Sequence, residues 1–95
     1  MMINGNSYIR KTFTIVNKLG LHARAAAQFV QLANKFAADI FVEKDGQEVS
    51  GKSIMGIMML AAACGTQIIV KAKGQDAQEA ILALQTLIEE KFGEE

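Results

Sequence analysis

Between Tyr8 and Val16 apolar and polar positions alternate, with Phe13 and Ile15 on one side and Thr12 and Thr14 on the other. That two-residue period predicts a β-strand. Asn17-Lys18-Leu19-Gly20 interrupts it as a turn. The period then lengthens. From Ala23 to Phe36 the apolar residues Ala25, Ala26, Phe29, Leu32, Ala33 and Phe36 recur at helical spacing, with Gln28, Gln31, Asn34 and Lys35 between them. Alternation returns over Asp39 to Lys44, and Asp45-Gly46 predicts a tight hairpin into a partner strand at Gln47 to Ser50. A second helix is expected over Ile54 to Cys64, begun by Ser53 and closed by Gly65. Gln67 to Lys73 reads as a strand with Ile68, Val70 and Ala72 on one face. In the last helix Asp76 and Glu79 have capping-box spacing, Ala80, Ile81, Leu84, Leu87 and Ile88 form the apolar stripe, and Gly93 ends it. The first seven residues carry no period and read as a frayed start.

The predicted order is β-α-β-β-α-β-α, with no repeat or linker dividing it. Three amphipathic helices on one face of a four-stranded sheet bury one core and leave the other face wet. The expectation is an α+β two-layer sandwich forming a single domain over residues 1–95, with its ordered core at about 8–92. The second helix has two apolar sides. At about 100° per residue, Ile57, Leu60, Ala61 and Cys64 fall on one side, and Ile54, Met55, Met58 and Met59 on another. Only one side can face so small a sheet. If the Ile57 side is core, Met55 and Met58 form a surface suited to several partners, while Met59 is expected to be buried.

Composition narrows the function. A chain of 95 residues with 51% hydrophobic positions supports one modest core. Ten basic residues against ten acidic ones argue against nucleic acid as a partner. The single cysteine, Cys64, has no intrachain partner, so the fold does not depend on an oxidising compartment. The amino terminus lacks a secretory pattern, and the apolar run Ile54 to Cys64 is too short to span a bilayer. A cytoplasmic protein without membrane insertion is expected, and nothing demands more than a monomer.

Candidate chemistry collects at Gly20-Leu21-His22-Ala23-Arg24, where the first strand gives way to the first helix. A helix start holds backbone N–H groups without intrahelical partners, here those of Ala23 and Arg24, and the positive end of the macrodipole. Phosphate suits such a place. The same positive end disfavours an imidazolium, which favours the neutral, nucleophilic ring of His22. Arg24 can offer a planar, two-pronged donor to phosphate oxygens, and Gly20 permits a tight turn with close approach. On spacing alone, His22 could instead be a polar cap and Arg24 a solvated surface charge. No metal site is expected, because there is no second histidine and one distant cysteine does not make a ligand set. No nucleotide loop or hydrolytic triad is present either, so no cofactor is expected.

Gly20-Leu21-His22-Ala23-Arg24-Ala25-Ala26-Ala27-Gln28-Phe29-Val30 resembles the active-site motif of HPr, the histidine-containing phosphocarrier family of the bacterial phosphoenolpyruvate-dependent sugar phosphotransferase system. Gly51-Lys52-Ser53-Ile54-Met55-Gly56-Ile57-Met58 resembles that family's second motif, around a regulatory serine. The likeness runs from about Tyr8 to Phe92, and the element order matches. It implies an open-faced β-sandwich with a four-stranded antiparallel sheet and three helices on one face. By the same resemblance, His22 takes phosphate on Nδ1 from enzyme I and passes it to enzyme IIA domains, and Arg24 helps to hold it. Ser53 matches the serine that an ATP-dependent HPr kinase/phosphorylase modifies in many bacteria. Leu21, Ile54, Met55 and Met58 are expected to form the docking surface beside the histidine. Such a protein is a carrier with a covalent intermediate and only loosely an enzyme.

One position departs from the pattern. The family usually has proline directly after the arginine, and here that residue is Ala25 in a chain with no proline. Alanine keeps the helix but stiffens its start less. Ser53 also suits a plain N-cap role, which is compatible with modification. Two other functions fit the same residues: a nitrogen-related regulatory paralogue using the same chemistry, and a non-catalytic module that binds through its Met-rich helix. The pair His22 and Arg24 speaks against the second.

Overall fold

The computed structural model describes residues 7–94. The strands are β1 (Ile9–Thr14), β2 (Asp39–Lys44), β3 (Gln47–Ser50) and β4 (Gln67–Lys73), and the helices are α1 (Ala23–Ala33), α2 (Ile54–Met59) and α3 (Ala77–Glu89). A short 3-10 turn, Lys91–Gly93, follows α3. The strands form one antiparallel sheet in the order β1-β4-β2-β3. The expected α+β open-faced sandwich is the observed one.

Period-two alternation builds the sheet as expected. Phe13, Ile40, Val42, Ile68, Val70 and Ala72 turn inward, with Val42 opposite Val70 and Ile40 opposite Ala72 in register. Asp45 and Gly46 both take positive φ (51° and 83°), the twist a two-residue hairpin needs. The helices cover the inward face. Ala25, Ala26, Phe29, Val30 and Ala33 of α1, Ile57 of α2, and Ala77, Ala80, Ile81, Leu84 and Ile88 of α3 join one core cluster with the strands.

Three helix ends and one cap differ from the sequence expectation, the first end being that of α3, which stops at Glu89 rather than at Gly93. Helix α1 stops at Ala33 rather than Phe36, because Lys35 and Phe36 bond back only three residues, to Leu32 and Ala33; Phe36 still packs against the core. Helix α2 stops at Met59 rather than Cys64. Leu60 and Ala61 also bond back three residues, and Ala61 takes a left-handed φ of 50° that no helix can continue. Ala61 and Cys64 are consequently exposed and not part of the buried side, which reduces to Ile57 and Leu60. Met59 is 65% exposed, not buried, since it points away from that reduced stripe. Finally, Asp76 stands at the N-cap of α3 but makes no cap hydrogen bond. Its two carboxylate oxygens accept from the Ala37 and Ala38 N–H groups (2.9 and 2.8 Å), so it ties the α1–β2 loop instead of closing a capping box.

Candidate functional site

Strand β1 leads into the turn that begins the site. Asn17 is fully buried; its Nδ2 donates to the Gly20 carbonyl (2.8 Å), and the Gly20 N–H donates to the Asn17 carbonyl (3.1 Å). Gly20 has φ +68°, and a Cβ there would lie 2.5 Å from the Ala62 carbonyl oxygen. Only glycine fits that close approach without strain. The next residue completes the junction, as the Leu21 N–H donates to the same Ala62 oxygen at 2.9 Å. With α2 ended at Met59, the non-helical stretch after Ala61 lies against the start of α1 through the Ala62 carbonyl.

His22 is the N-cap of α1, with extended backbone (φ −73°, ψ 179°), and its carbonyl accepts the first helical bond from Ala26 (2.8 Å). Its side chain makes no cap hydrogen bond. The N–H groups of Ala23, Arg24 and Ala25 therefore lack an intrahelical acceptor and a side-chain cap, next to a partly exposed imidazole. At α2 the arrangement is the opposite: the Ser53 Oγ accepts from the Gly56 N–H (3.0 Å) and caps its helix. Arg24 is exposed and makes no side-chain hydrogen bond or ion pair among the described residues.

The imidazole has one firm partner. His22 Nε2 lies 2.5 Å from Glu94 Oε2, and Asn17 Nδ2 donates to Glu94 Oε1 (3.1 Å). The His22 contact first, and then the Asn17 amide, hold the Glu94 carboxyl below the usual carboxylate range, and the Leu19 amide adds to the effect. An ionised carboxylate only accepts, so Nε2 is the donor in this contact. Glu94 reaches this place because Lys91, Phe92 and Gly93 all take left-handed φ (59°, 55° and 78°) and reverse the chain after α3. Phe92, 2% exposed, is seated in the core and anchors the reversal.

Beside the ring lies an open hollow of about 300 Å³ lined by Leu19, Leu21, His22, Met58, Ala61, Ala62 and Ala63. Met58 and His22 thus border the same hollow. Met55 is 72% exposed, and Ile54 is also exposed on α2. Leu21 is a correction. At 4% exposure its side chain belongs to the core, whereas its neighbour Leu19 is 65% exposed and takes the surface position. Sequence reasoning missed Leu19, Asn17 and Glu94. An apolar residue in a polar turn was the available signal for Leu19; for Glu94 the signal was Phe92, a large apolar side chain just past a helix end and followed by glycine.

The family described as "PTS HPr component phosphorylation site" matches residues 9–90. The chain belongs to the HPr phosphocarrier family. The phosphocarrier protein HPr of Cupriavidus necator is 48% identical over 86 residues, covering 90% of this chain and 97% of that protein. The HPr-like protein Crh of Bacillus subtilis is 52% identical over 73 residues, covering 77% of this chain and 86% of that protein. Among solved structures, HPr from Thermoanaerobacter tengcongensis superposes with a TM-score of 0.89 at 55% identity, covering 92% of this chain and 98% of that one. No helix among the described residues is long and apolar enough to cross a membrane.

Proposed function

We propose that this HPr-family chain accepts a phosphoryl group on His22 Nδ1 from phosphorylated enzyme I and passes it to enzyme IIA domains. The observation that carries this reading is the uncapped start of α1. His22 stands at the N-cap without capping, its Nε2 is engaged by Glu94, and the adjacent N–H groups lack acceptors. A phosphoryl group on Nδ1 would supply the missing acceptor oxygens.

In the transfer, the Nδ1 lone pair of neutral His22 attacks, in line, the phosphorus of a donor phosphohistidine that is protonated on its other ring nitrogen. The new P–N bond forms as the old one breaks, and its electron pair returns to the donor ring, which leaves as neutral imidazole. His22 becomes a phosphoimidazolium that keeps its Nε2 proton. Arg24 and the N–H groups of Ala23 and Arg24 hold the phosphoryl oxygens. The P–N bond is high in energy, so this hold is modest and release is easy. Leu19, Ile54, Met55 and Met58 form the apolar docking surface for both partners, a fit supported by the methionines' adaptability.

Ser53 is the proposed regulatory site for an ATP-dependent HPr kinase/phosphorylase. A phosphate there suits a helix start but puts negative charge beside the Met55/Met58 face and repels acidic partners. The protein works in the cytoplasm as a monomer, without metal or cofactor. Incubation with phosphoenolpyruvate and enzyme I should place one acid-labile phosphate on the native chain and none on His22→Ala. Absence of label on the native chain overturns the carrier and leaves a binding module. The enzyme IIA that then takes the phosphate separates the sugar branch from the nitrogen-related branch.

A further inference from the structure

Glu94 touches His22 at Nε2, but the transfer steps above give its carboxylate no role. Its side chain is only 15% exposed, yet it comes from a short tail beyond the last helix, at 72 positions' separation from His22. Three features converge on it. Phe92 is buried and fixes the tail's exit, the left-handed residues Lys91 to Gly93 turn it toward the β1–α1 junction, and the buried Asn17 donates to its second oxygen. Asn17 also donates to the Gly20 carbonyl through the same Nδ2, so one amide ties the carboxylate to the turn that precedes His22. The carboxylate is therefore placed from two sides and is not a mobile surface charge.

We infer that Glu94 is the positioning residue of the phosphoryl site: it holds the hydrogen of His22 on Nε2 and so delivers the lone pair at Nδ1. An imidazole left to itself exchanges between two neutral tautomers, and each leaves a different nitrogen nucleophilic. A carboxylate that accepts from one ring nitrogen selects the tautomer and fixes the ring's orientation, as partners of metal-bound histidines do. The same contact serves the product, because the positive charge that spreads over the ring when the P–N bond forms is shared with the carboxylate through Nε2–H. Glu94 does not touch the phosphoryl group in this scheme. It acts through the ring.

The inference rests on the phosphocarrier reading, and the test separates the two. The tautomer is measured first, by ring ¹⁵N chemical shifts of His22 in the unphosphorylated full-length chain at a pH where the ring is neutral. The native chain should show hydrogen on Nε2 alone, Glu94→Gln should retain that state through its amide oxygen, and Glu94→Ala should show a mixture. The chains are then treated with phosphoramidate, a small N–P donor that needs no partner protein. Its phosphoryl group moves to the ring, and its nitrogen leaves as ammonia after taking up a proton. Native chain and Glu94→Gln should be labelled at Nδ1, while Glu94→Ala should react about tenfold more slowly or worse and label both nitrogens. A Glu94→Ala chain with the native tautomer, rate and labelled nitrogen overturns the inference. Equal labelling of the native chain and His22→Ala overturns the carrier reading alone, since the tautomer measurement uses no phosphoryl donor and still decides the role of Glu94.

Discussion

At the scale of single residues, the site depends on two positions whose side chains are nearly absent. Gly20 sits against the Ala62 carbonyl with a left-handed φ. Gly20→Ala adds a left-handed alanine, about 1–2 kcal/mol, and forces a backbone contact apart, about 1–3 kcal/mol. Urea unfolding should show a loss of at least about 2 kcal/mol from those two sources, and His22 labelling should fall with it because the Leu21–Ala62 bond lies one residue from the ring. An unchanged midpoint would mean that the junction relaxes freely. Ala25 is the other position. It is fully buried and third in α1, so its N–H has no intrahelical acceptor and proline there would remove nothing the helix uses. Ala25→Pro should raise stability by about 0.4–1 kcal/mol through the unfolded chain. It should change the rate of phosphate uptake by only a few-fold. A large gain would show that alanine leaves the native helix start poorly ordered.

At the scale of elements, what the sequence shows best is whatever local periodicity decides. The four strands, the Asp45-Gly46 hairpin and the starts of α1 and α2 stand where the patterns put them, because burial of one face and a matching turn require nothing from elsewhere in the chain. The misplaced features answer to distant partners. Asp76 turns from its own helix to two N–H groups nearly forty residues away, and the stretch after α2 lies against Gly20 and Leu21 through the Ala62 carbonyl. The candidate site divides in the same way. His22 and Arg24 could be named as candidates from the sequence because their strand-to-helix junction is a local pattern and their motif resembles that of the HPr family, while Glu94 could not, since its place depends on Phe92 finding the core. The cost of shortening α2 is visible at Ala61, an alanine held at φ 50°. Glycine bears that conformation without penalty, although it loses more freedom on folding. Ala61→Gly should therefore stabilise the protein by up to about 1 kcal/mol in thermal or urea unfolding. A clear loss of stability would mean that the Ala61 methyl contributes packing at the hollow beside His22.

Across the whole molecule, carboxylates make contacts between separate elements of the chain. Glu94 fastens the tail to the β1–α1 turn, Asp76 fastens the start of α3 to the α1–β2 loop, and Glu43 pairs with Lys71 across β2 and β4 (2.7 Å). All three are held below the ordinary carboxylate range. The causes are the His22 and Asn17 contacts for Glu94, the Ala37 and Ala38 N–H groups for Asp76, and the Lys71 ammonium for Glu43. A group whose folded state binds its proton less readily than its unfolded state stabilises the fold fully above the unfolded range, near pH 4–4.5. That contribution disappears as pH falls through the lower folded values. Melting temperature should thus be flat near neutrality and drop progressively below about pH 4.5. The three do not weigh equally. Lys71 also pairs with Glu48 (2.8 Å), so Glu43→Gln leaves its ammonium a carboxylate partner and should barely alter the acid limb. Asp76→Asn keeps only one accepting oxygen for two N–H donors and should lower the melting temperature near pH 7 while leaving a shallower acid limb. Glu94→Gln should flatten the limb as well and also lower the melting temperature near pH 7, because its one amide oxygen faces two donors, His22 Nε2 and Asn17 Nδ2. Thermal scans of the three variants from pH 3 to pH 8 decide the ranking. If Glu43→Gln flattened the limb most, acid stability would rest on the exposed sheet face, and the tail's hold on His22 would contribute little to keeping the fold intact.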